Sequence, residues 1–506
     1  MKFSTHFLFI LAFVTFGSSG AIVHRAAAQD NASSLAEAQV AAMNKGWWKY
    51  LRISPAATTR VKETFVAAPV EVTFGTLEPG KLACVENLWT PEKKSLSTPD
   101  GLLHNQSQID LFDLGDSTTK GVAATIYQAT ATQPKKSMMW FLSTLSASSF
   151  SPDGRYLSLG FDLAGDSLPF FLDTQTGRFS TIVTSLEDNA TPVNAAIYWS
   201  PDNQHLACFA SEPNPSGSAE ALGIFASTDR PIRAYIVDRR SMVKIDAVDA
   251  PGVVDPLTWL NAQTLIYGSL PQDKGFDLYD ITKPGKLARP NIYGFDWAKN
   301  STKLLIRDGY RPAPSPDGSL IAFYGSRDPK KPQPLRVEKS SPVWLWRYLC
   351  NGASLCVAKA DGSGRIAFQP YSGVYPLIQW LPDNNRFVTI EQTKGAPNYE
   401  AQVTLWNVKT QGFRKLATLR ATNAKDQSND GFPQLDFPFS AMGVSADGNK
   451  VYTNSISYPI DRIAHLSSGA STQVLQSIDV ESGQVSTIAT VKNAYMAWTP
   501  AKTAAP

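Results

Sequence analysis

Phe150-Ser151-Pro152-Asp153-Gly154-Arg155-Tyr156-Leu157 reads residue by residue as a tight turn between two strands. Pro152 presets the dihedral of the first turn residue, Asp153 bonds its own backbone, and Gly154 accepts a positive φ at the exit. The same eight positions return as Trp199-Ser200-Pro201-Asp202-Asn203-Gln204-His205-Leu206 and as Pro314-Ser315-Pro316-Asp317-Gly318-Ser319-Leu320-Ile321. They return again as Trp380-Leu381-Pro382-Asp383-Asn384-Asn385-Arg386-Phe387 and Val444-Ser445-Ala446-Asp447-Gly448-Asn449-Lys450-Val451. Weaker copies stand at Trp259-Leu260-Asn261 and Leu77-Glu78-Pro79-Gly80-Lys81-Leu82.

A second hairpin follows the first in each unit. Phe170 to Asp173 turns into Phe179 to Val183, Leu355 to Ala358 into Ile366 to Phe368, Val403 to Trp406 into Phe413 to Leu416, and Val474 to Asp479 into Val485 to Ile488. Between Phe276 and Ile306 two such hairpins are possible. Each unit is therefore a four-stranded antiparallel meander, with strands A to D. The units recur every 49 to 66 residues, which fits a blade of about 40 to 50 residues plus loops. A lone sheet of this kind cannot bury both faces, whereas blades packed radially around a channel can. The fold class is all-β: a β-propeller of four-stranded blades, seven by count of copies, with eight or six as alternatives. The final segment Ala494-Tyr495-Met496-Ala497-Trp498 either closes the ring with N-terminal strands or adds a blade.

Composition agrees. The 506 residues are 43% hydrophobic and 18% charged, values of a globular chain. A formal net charge of +3, with no long basic block, speaks against a nucleic-acid partner. At the start, Lys2 precedes an apolar run from Phe7 to Phe16, and small-residue cleavage sites follow at Ser19-Gly20-Ala21 and Ala26-Ala27-Ala28. This predicts a signal peptide over 1–28, export to the periplasm or beyond, and no membrane span after its removal. Residues 29–69 form an N-terminal segment. Within it Ser34-Leu35-Ala36-Glu37 reads as a capping box opening a short helix towards Trp47-Trp48. The propeller takes 70–500 and a tail 501–506.

The repeated Ser-Pro-Asp-Gly turn, with Asp361-Gly362-Ser363-Gly364 later in one unit, resembles the propeller repeats of the TolB family. It also resembles the propeller half of prolyl oligopeptidases and dipeptidyl peptidases. The resemblance spans roughly residues 70 to 500 and implies the fold, since one architecture hosts unrelated functions. The N-terminal α/β domain expected of TolB is not evident in 29–69. The peptidases' Gly-x-Ser-x-Gly elbow does not occur, and no length remains after the last repeat for their catalytic domain.

A–B and C–D turns are short in the clear copies, so long insertions collect in B–C and D–A connections, which share one face of a propeller. Long loops on a rigid scaffold are where binding usually lives. The richest insertion carries Lys330, Lys331, Arg336, Trp344, Trp346 and Arg347, a basic and aromatic set able to hold a carboxylate, a sugar or an anionic peptide. The alternative for the same residues is that the tryptophans are buried and the lysines merely solvated. Cys350 and Cys356 could form a disulfide closing this arm, while Cys84 and Cys208 fall within strands and read as buried thiols. The insertion Asp426 to Gly431 lacks the spacing of a calcium loop. The histidines His104, His205 and His465 form no metal-binding spacing, so neither a metal nor another cofactor is implied, and no catalytic residue is assigned. The expected function is an exported, non-catalytic scaffold binding a protein or peptide partner. Alternatives are a secreted hydrolase or lyase with a site in the channel, and a propeller gating a separate peptidase subunit.

Overall fold

The computed structural model describes residues 66–67, 81–89, 102–113, 124–134, 142–143, 150–163, 166–173, 179–181, 193–211, 232–239, 243–250, 258–269, 290–328, 353–370, 374–394, 398–422, 439, 442–457, 472–492 and 494–498. The predicted signal peptide and helix lie outside them, as do Cys350 and the Asp426 to Gly431 loop. Among the described residues no helix is long and apolar enough to cross a membrane.

The strands form antiparallel sheets in a propeller arrangement. Five like four-stranded blades follow one another: blade I from Val193 to Ala250, II from Thr258 to Ile306, III from Gly309 to Pro370, IV from Val374 to Thr422, and V from Met442 to Lys492. Each has its strands in sequence order, so strands A to D run across the blade as read from the repeats. In blade II the ambiguous stretch resolves: strands C and D are Asn291–Asp296 and Ser301–Ile306.

Two further sheets differ from these five, and this corrects the expectation of seven like blades. The sheet preceding blade I is clipped. Its first strand, Leu142–Ser143, has two residues and its last, Phe179–Thr181, has three. The other sheet is five-stranded, in the order Val66–Ala67, Ala124–Pro134, Leu102–Asp113, Lys81–Trp89, Ala494–Trp498. Here the C-terminal strand pairs with an N-terminal one, Cys84 opposite Met496 and Leu82 opposite Trp498. Pairing the chain's two ends leaves the inner edge of that sheet covered, which is how a ring disposes of a sheet edge. Lys81–Trp89 also contacts strand D of blade V and Leu142–Ser143 of the clipped sheet. Val66–Ala67, just before the expected start at residue 70, joins as the outer strand against Ala131 and Thr132.

The core lies between blades. Blade III presents Tyr310, Ala322, Tyr324, Leu355 and Val357 to Trp380, Phe387 and Trp406 of blade IV. Blade IV presents Val388, Ile390, Val403 and Leu405 to Val451 and Ile478 of blade V. Period-two alternation gives each strand two buried faces, one per neighbour. Strand A tryptophans cross three of the seams. Trp259 Nε1 donates to Tyr198 O at 2.8 Å, Trp380 Nε1 to Ala313 O at 2.8 Å, and Trp199 Nε1 to Ser158 Oγ at 3.0 Å, each in the preceding sheet.

Candidate functional site

The two faces of the ring are built differently, beginning with the turns. In the copies with Ser-x-Asp-Gly the serine hydroxyl donates to the aspartate at 2.6 Å, at Ser151, Ser315 and Ser445 alike. The same oxygen accepts the backbone N–H of Tyr156, Leu320 or Lys450 at 2.9 to 3.0 Å. Asp447 is held below the usual carboxylate range by the Ser445 hydroxyl and the Asn449 N–H. For Asp317, burial pushes upward, but the Ser315 and Ser319 hydrogen bonds outweigh it. Blade IV has Leu381, as blade II has Leu260, where four other copies have serine. Leu381 is fully buried in the seam towards blade V, and Asp383 instead takes the N–H groups of Asn385 and Arg386 and the Arg386 guanidinium.

These turns interlock. Asn384, at φ 56, stands where three copies have glycine and one has Asn203, and its Oδ1 accepts the N–H of Asp317 in the preceding turn at 3.0 Å. Asparagine tolerates the left-handed region and adds a reaching side chain that glycine lacks. Arg239 joins blade I to the clipped sheet: Nη2 lies 2.9 Å from Asp153 Oδ2, Nη1 donates to Asn203 O, and the guanidinium stands 5.0 Å over the Tyr156 ring. Arg414 of blade IV donates to the carbonyls of Glu481 and Val480 in blade V. The turn face is thus a stitched collar.

The opposite face carries the open chain. B–C connections run from Ser211 to Ile232, Ser269 to Asn291, Gly325 to Ser354 and Ser457 to Thr472, and a D–A connection from Thr422 to Met442. Not every connection there is long: Lys394 to Asn398, Ile306 to Gly309 and Pro370 to Val374 are short. The widest interval between consecutive strands is Gly325 to Ser354, which contains Lys330, Lys331, Arg336, Trp344, Trp346 and Arg347. Those six lie outside the described residues. The root of the connection does not. Ser326 is buried and its N–H donates to Asp308 Oδ2 at 2.9 Å, while Asn291 Oδ1 accepts the Asp308 N–H at 2.9 Å. Arg365 reaches across blade III to the carbonyls of Arg307 and Asp308, both at 3.1 Å, passing 4.9 Å over the Phe323 ring. A Cβ on Gly325 would fall 2.2 Å from Asp308 O, so only glycine fits where the connection leaves the blade. At the other end Cys356 is buried in strand C, its thiol 3.5 Å from Ser354 O and 3.7 Å from Arg365 Nη2.

Strand A of blade III adds an irregularity. Register shifts between Tyr310 and Ala313, with Arg311 at φ 53, and Asp308 just before the strand is at φ 50. A bulge on such a strand redirects side chains and is over-represented beside functional sites. Next to it, blade IV becomes polar towards the open face. Along strand B, Arg386–Lys394, Phe387 packs into the seam with blade III, and Thr389 and Glu391 continue the same row. Trp406 Nε1 donates to Thr389 Oγ1 at 2.9 Å, and Thr389 donates on to Glu391 Oε1 at 3.2 Å. Gln402 stands opposite Glu391, its amide spent on Ala417 O at 2.7 Å and Val403 O at 3.0 Å. Burial pushes the Glu391 carboxyl up to about 7, the Thr389 hydroxyl pulling weakly the other way. This places a group near half-protonation at neutral pH on the side of blade IV that faces blade III, towards the open face. Sequence reading missed it because Val388-Thr389-Ile390-Glu391-Gln392 looks like an ordinary strand; the available signal was a charged residue in a row opened by Phe387 and a threonine.

No protein-family model matches the chain, and none of the curated proteins compared with it matches either. Solved structures do. TolB from Acinetobacter baumannii is 14% identical over 67% of this chain and 63% of its own, TM-score 0.35, so the chain spans less than two thirds of that protein. The β-propeller domain of the Trilobed protease from Pyrococcus furiosus is 12% identical over 82% of this chain and 97% of that one, TM-score 0.44. Pyrococcus horikoshii acylaminoacyl peptidase is 11% identical over 83% and 52%, TM-score 0.45. The resemblance to TolB and to peptidase propellers read from the repeated turns is matched by these structures. The fold itself rests on the strand pairing above.

Proposed function

We propose that the protein is an exported, non-catalytic scaffold that docks a protein or peptide on the open face, through the connection between Gly325 and Ser354. One observation carries this reading: the longest connection leaves the blade from a root fixed by Asp308, Asn291 and Arg365, while the opposite face is consumed in stitching. A long loop with a rigid root keeps its residues within a bounded volume, lowering the ordering cost that binding must overcome. Lys330, Lys331, Arg336 and Arg347 supply charge-assisted contacts for carboxylates on a partner, and Trp344 and Trp346 supply rigid apolar anchors.

The test uses the full chain and a variant in which residues 329–352 are replaced by a short Gly-Asn turn. A random-peptide library panned against the full chain should yield acidic and aromatic sequences that the shortened variant fails to capture. Peptides captured equally by both proteins would overturn the assignment of this connection. Secretion of a fusion carrying residues 1–28 ahead of a reporter checks export; retention of the reporter in the cytoplasm would reject that part.

A further inference from the structure

Glu391 and Gln392 are adjacent, so their side chains leave opposite faces of the strand. Gln392 extends the row of Val388 and Ile390, which faces blade V. From blade V, Val451 faces back, and Thr453 is the next residue of its row; the register sets Thr453 opposite Gln476 just as Val451 stands opposite Ile478. Val388, Ile390, Val451 and Ile478 share one apolar core. One step further towards the open face, the same seam is lined by Gln392, Thr453 and Gln476.

Gln392 is 6% exposed and Thr453 0%. Gln392 Oε1, Thr453 Oγ1 and Gln476 Oε1 are all buried, and no protein group hydrogen-bonds any of them. A buried polar atom left unmet forfeits its hydration with nothing in return, so three in one seam call for an occupant. Its chemistry follows from the atoms offered. The two amide oxygens are acceptors only and repel an anion. A divalent cation prefers carboxylates; the neighbouring Glu391 is turned to the other seam, and among the described residues no three His, Cys, Asp or Glu side chains gather to hold a metal. Uncharged carbonyl and hydroxyl oxygens are the set that replaces the hydration shell of a monovalent cation.

We propose that the seam between blades IV and V is a binding site for a monovalent cation, potassium, sodium or ammonium, held by Gln392 Oε1, Gln476 Oε1 and Thr453 Oγ1. Bound there, the cation rivets the open ends of two blades that Arg414 joins at the turn face. This site is independent of peptide docking and stands or falls separately.

The experiment is thermal unfolding of the full chain in the chlorides of potassium, sodium, ammonium and N-methylglucamine at one ionic strength. At least one small cation should raise the melting temperature saturably by several degrees over N-methylglucamine, as expected for a ligand that binds only the folded state. Gln392→Leu and Gln476→Leu should abolish that dependence. If either fails to fold, Gln392→Glu preserves the shape and adds a charge, and should shift the preference towards calcium. Identical melting temperatures in all four salts would overturn the proposal, with water then serving the three oxygens. A cation response that survives the substitutions would overturn it as well, since the site would lie elsewhere.

Discussion

The turn face and the open face are made from the same blades and are held by opposite kinds of interaction. On the turn face, short connections place ionised aspartates against hydroxyls, backbone N–H groups and arginines, as Asp153 does with Ser151, Arg155 and Arg239. On the open face, the seams end in neutral polar groups and a carboxyl that burial keeps close to neutral, Glu391. The difference teaches where stability and adaptability have been separated. A collar of charge-assisted bonds fixes the ring at one end, leaving the other end free to carry long connections.

The strongest way to break this comparison is to wedge the collar. Gly362, at φ 85, sits so close to blade II that an added Cβ would meet Leu305 O at 1.9 Å. Gly154, at φ 72, has the same backbone need but open space around it. Gly362→Ala should therefore cost about 3 kcal/mol or more, through strain plus displacement of a neighbouring blade. Gly154→Ala should cost only the left-handed penalty, about 1 to 2 kcal/mol. Denaturant midpoints for the two variants decide the matter, and equal losses would show that the turns do not interlock.

A second, slightly smaller effect separates the faces by pH. The Glu391 carboxyl is raised from its usual 4.5 to about 7, so between those values the folded protein holds a proton that the unfolded chain has released. Stability from this group is complete below about pH 4.5 and is lost as pH rises through about 7, a fall on the order of 3 kcal/mol. The turn aspartates run the other way. Asp317, Asp383 and Asp447 have lowered values, so their contribution is present above the usual 3.8 and disappears as pH drops through the folded value. Unfolding free energies at intervals from pH 3 to 9 should thus show an acid limb that survives Glu391→Gln and a limb approaching pH 7 that does not. A neutral limb unchanged in Glu391→Gln would remove Glu391 from the account.

How much of this could be read beforehand follows from how local each cause is. The turns were legible because proline, aspartate and glycine act within four residues, and the second hairpins because their strands and turn residues adjoin in sequence. Ala494–Trp498 was recognisable as an inner strand, but that it completes the N-terminal sheet, with Tyr495 opposite Val85, depends on a partner some four hundred residues away. The clipped sheet was not foreseen: Phe150 and Leu157 pair as an isolated bridge around a good turn, and among the described residues the strand ahead of them is Leu142–Ser143. The polar seams were invisible for the same reason. Glu391 and Gln392 acquire their meaning from blades III and V, which no window around them contains. The basic and aromatic residues between Lys330 and Arg347 were picked out by composition, and the structure adds the anchored root from which they depart.

Within blade IV, Thr389 connects an aromatic wall to the carboxyl, so Thr389→Val is a sharper probe than removing either partner. Valine keeps the shape and deletes the oxygen, leaving the buried Trp406 Nε1 without its acceptor at a cost of about 1 to 3 kcal/mol. It also takes from Glu391 the hydroxyl that holds its value down, so the neutral limb should move to higher pH; tryptophan fluorescence followed against pH reads both effects.

The smallest effect tests the interlock itself. Asn384 does two things at once: it tolerates φ 56 and it accepts the Asp317 N–H. Asn384→Gly keeps the first and loses the second, and because the Asp317 amide is exposed enough for water to replace the bond, the loss should be about 0.5 to 1 kcal/mol. Asn384→Ala loses both and should cost about 1 kcal/mol more, the price of a left-handed alanine. The order glycine milder than alanine, measured by urea unfolding, is the signature of a turn residue selected first for its backbone and then for its reach. If the glycine variant were as unstable as the alanine one, the link from blade IV to blade III would carry the turn, and backbone conformation would be secondary.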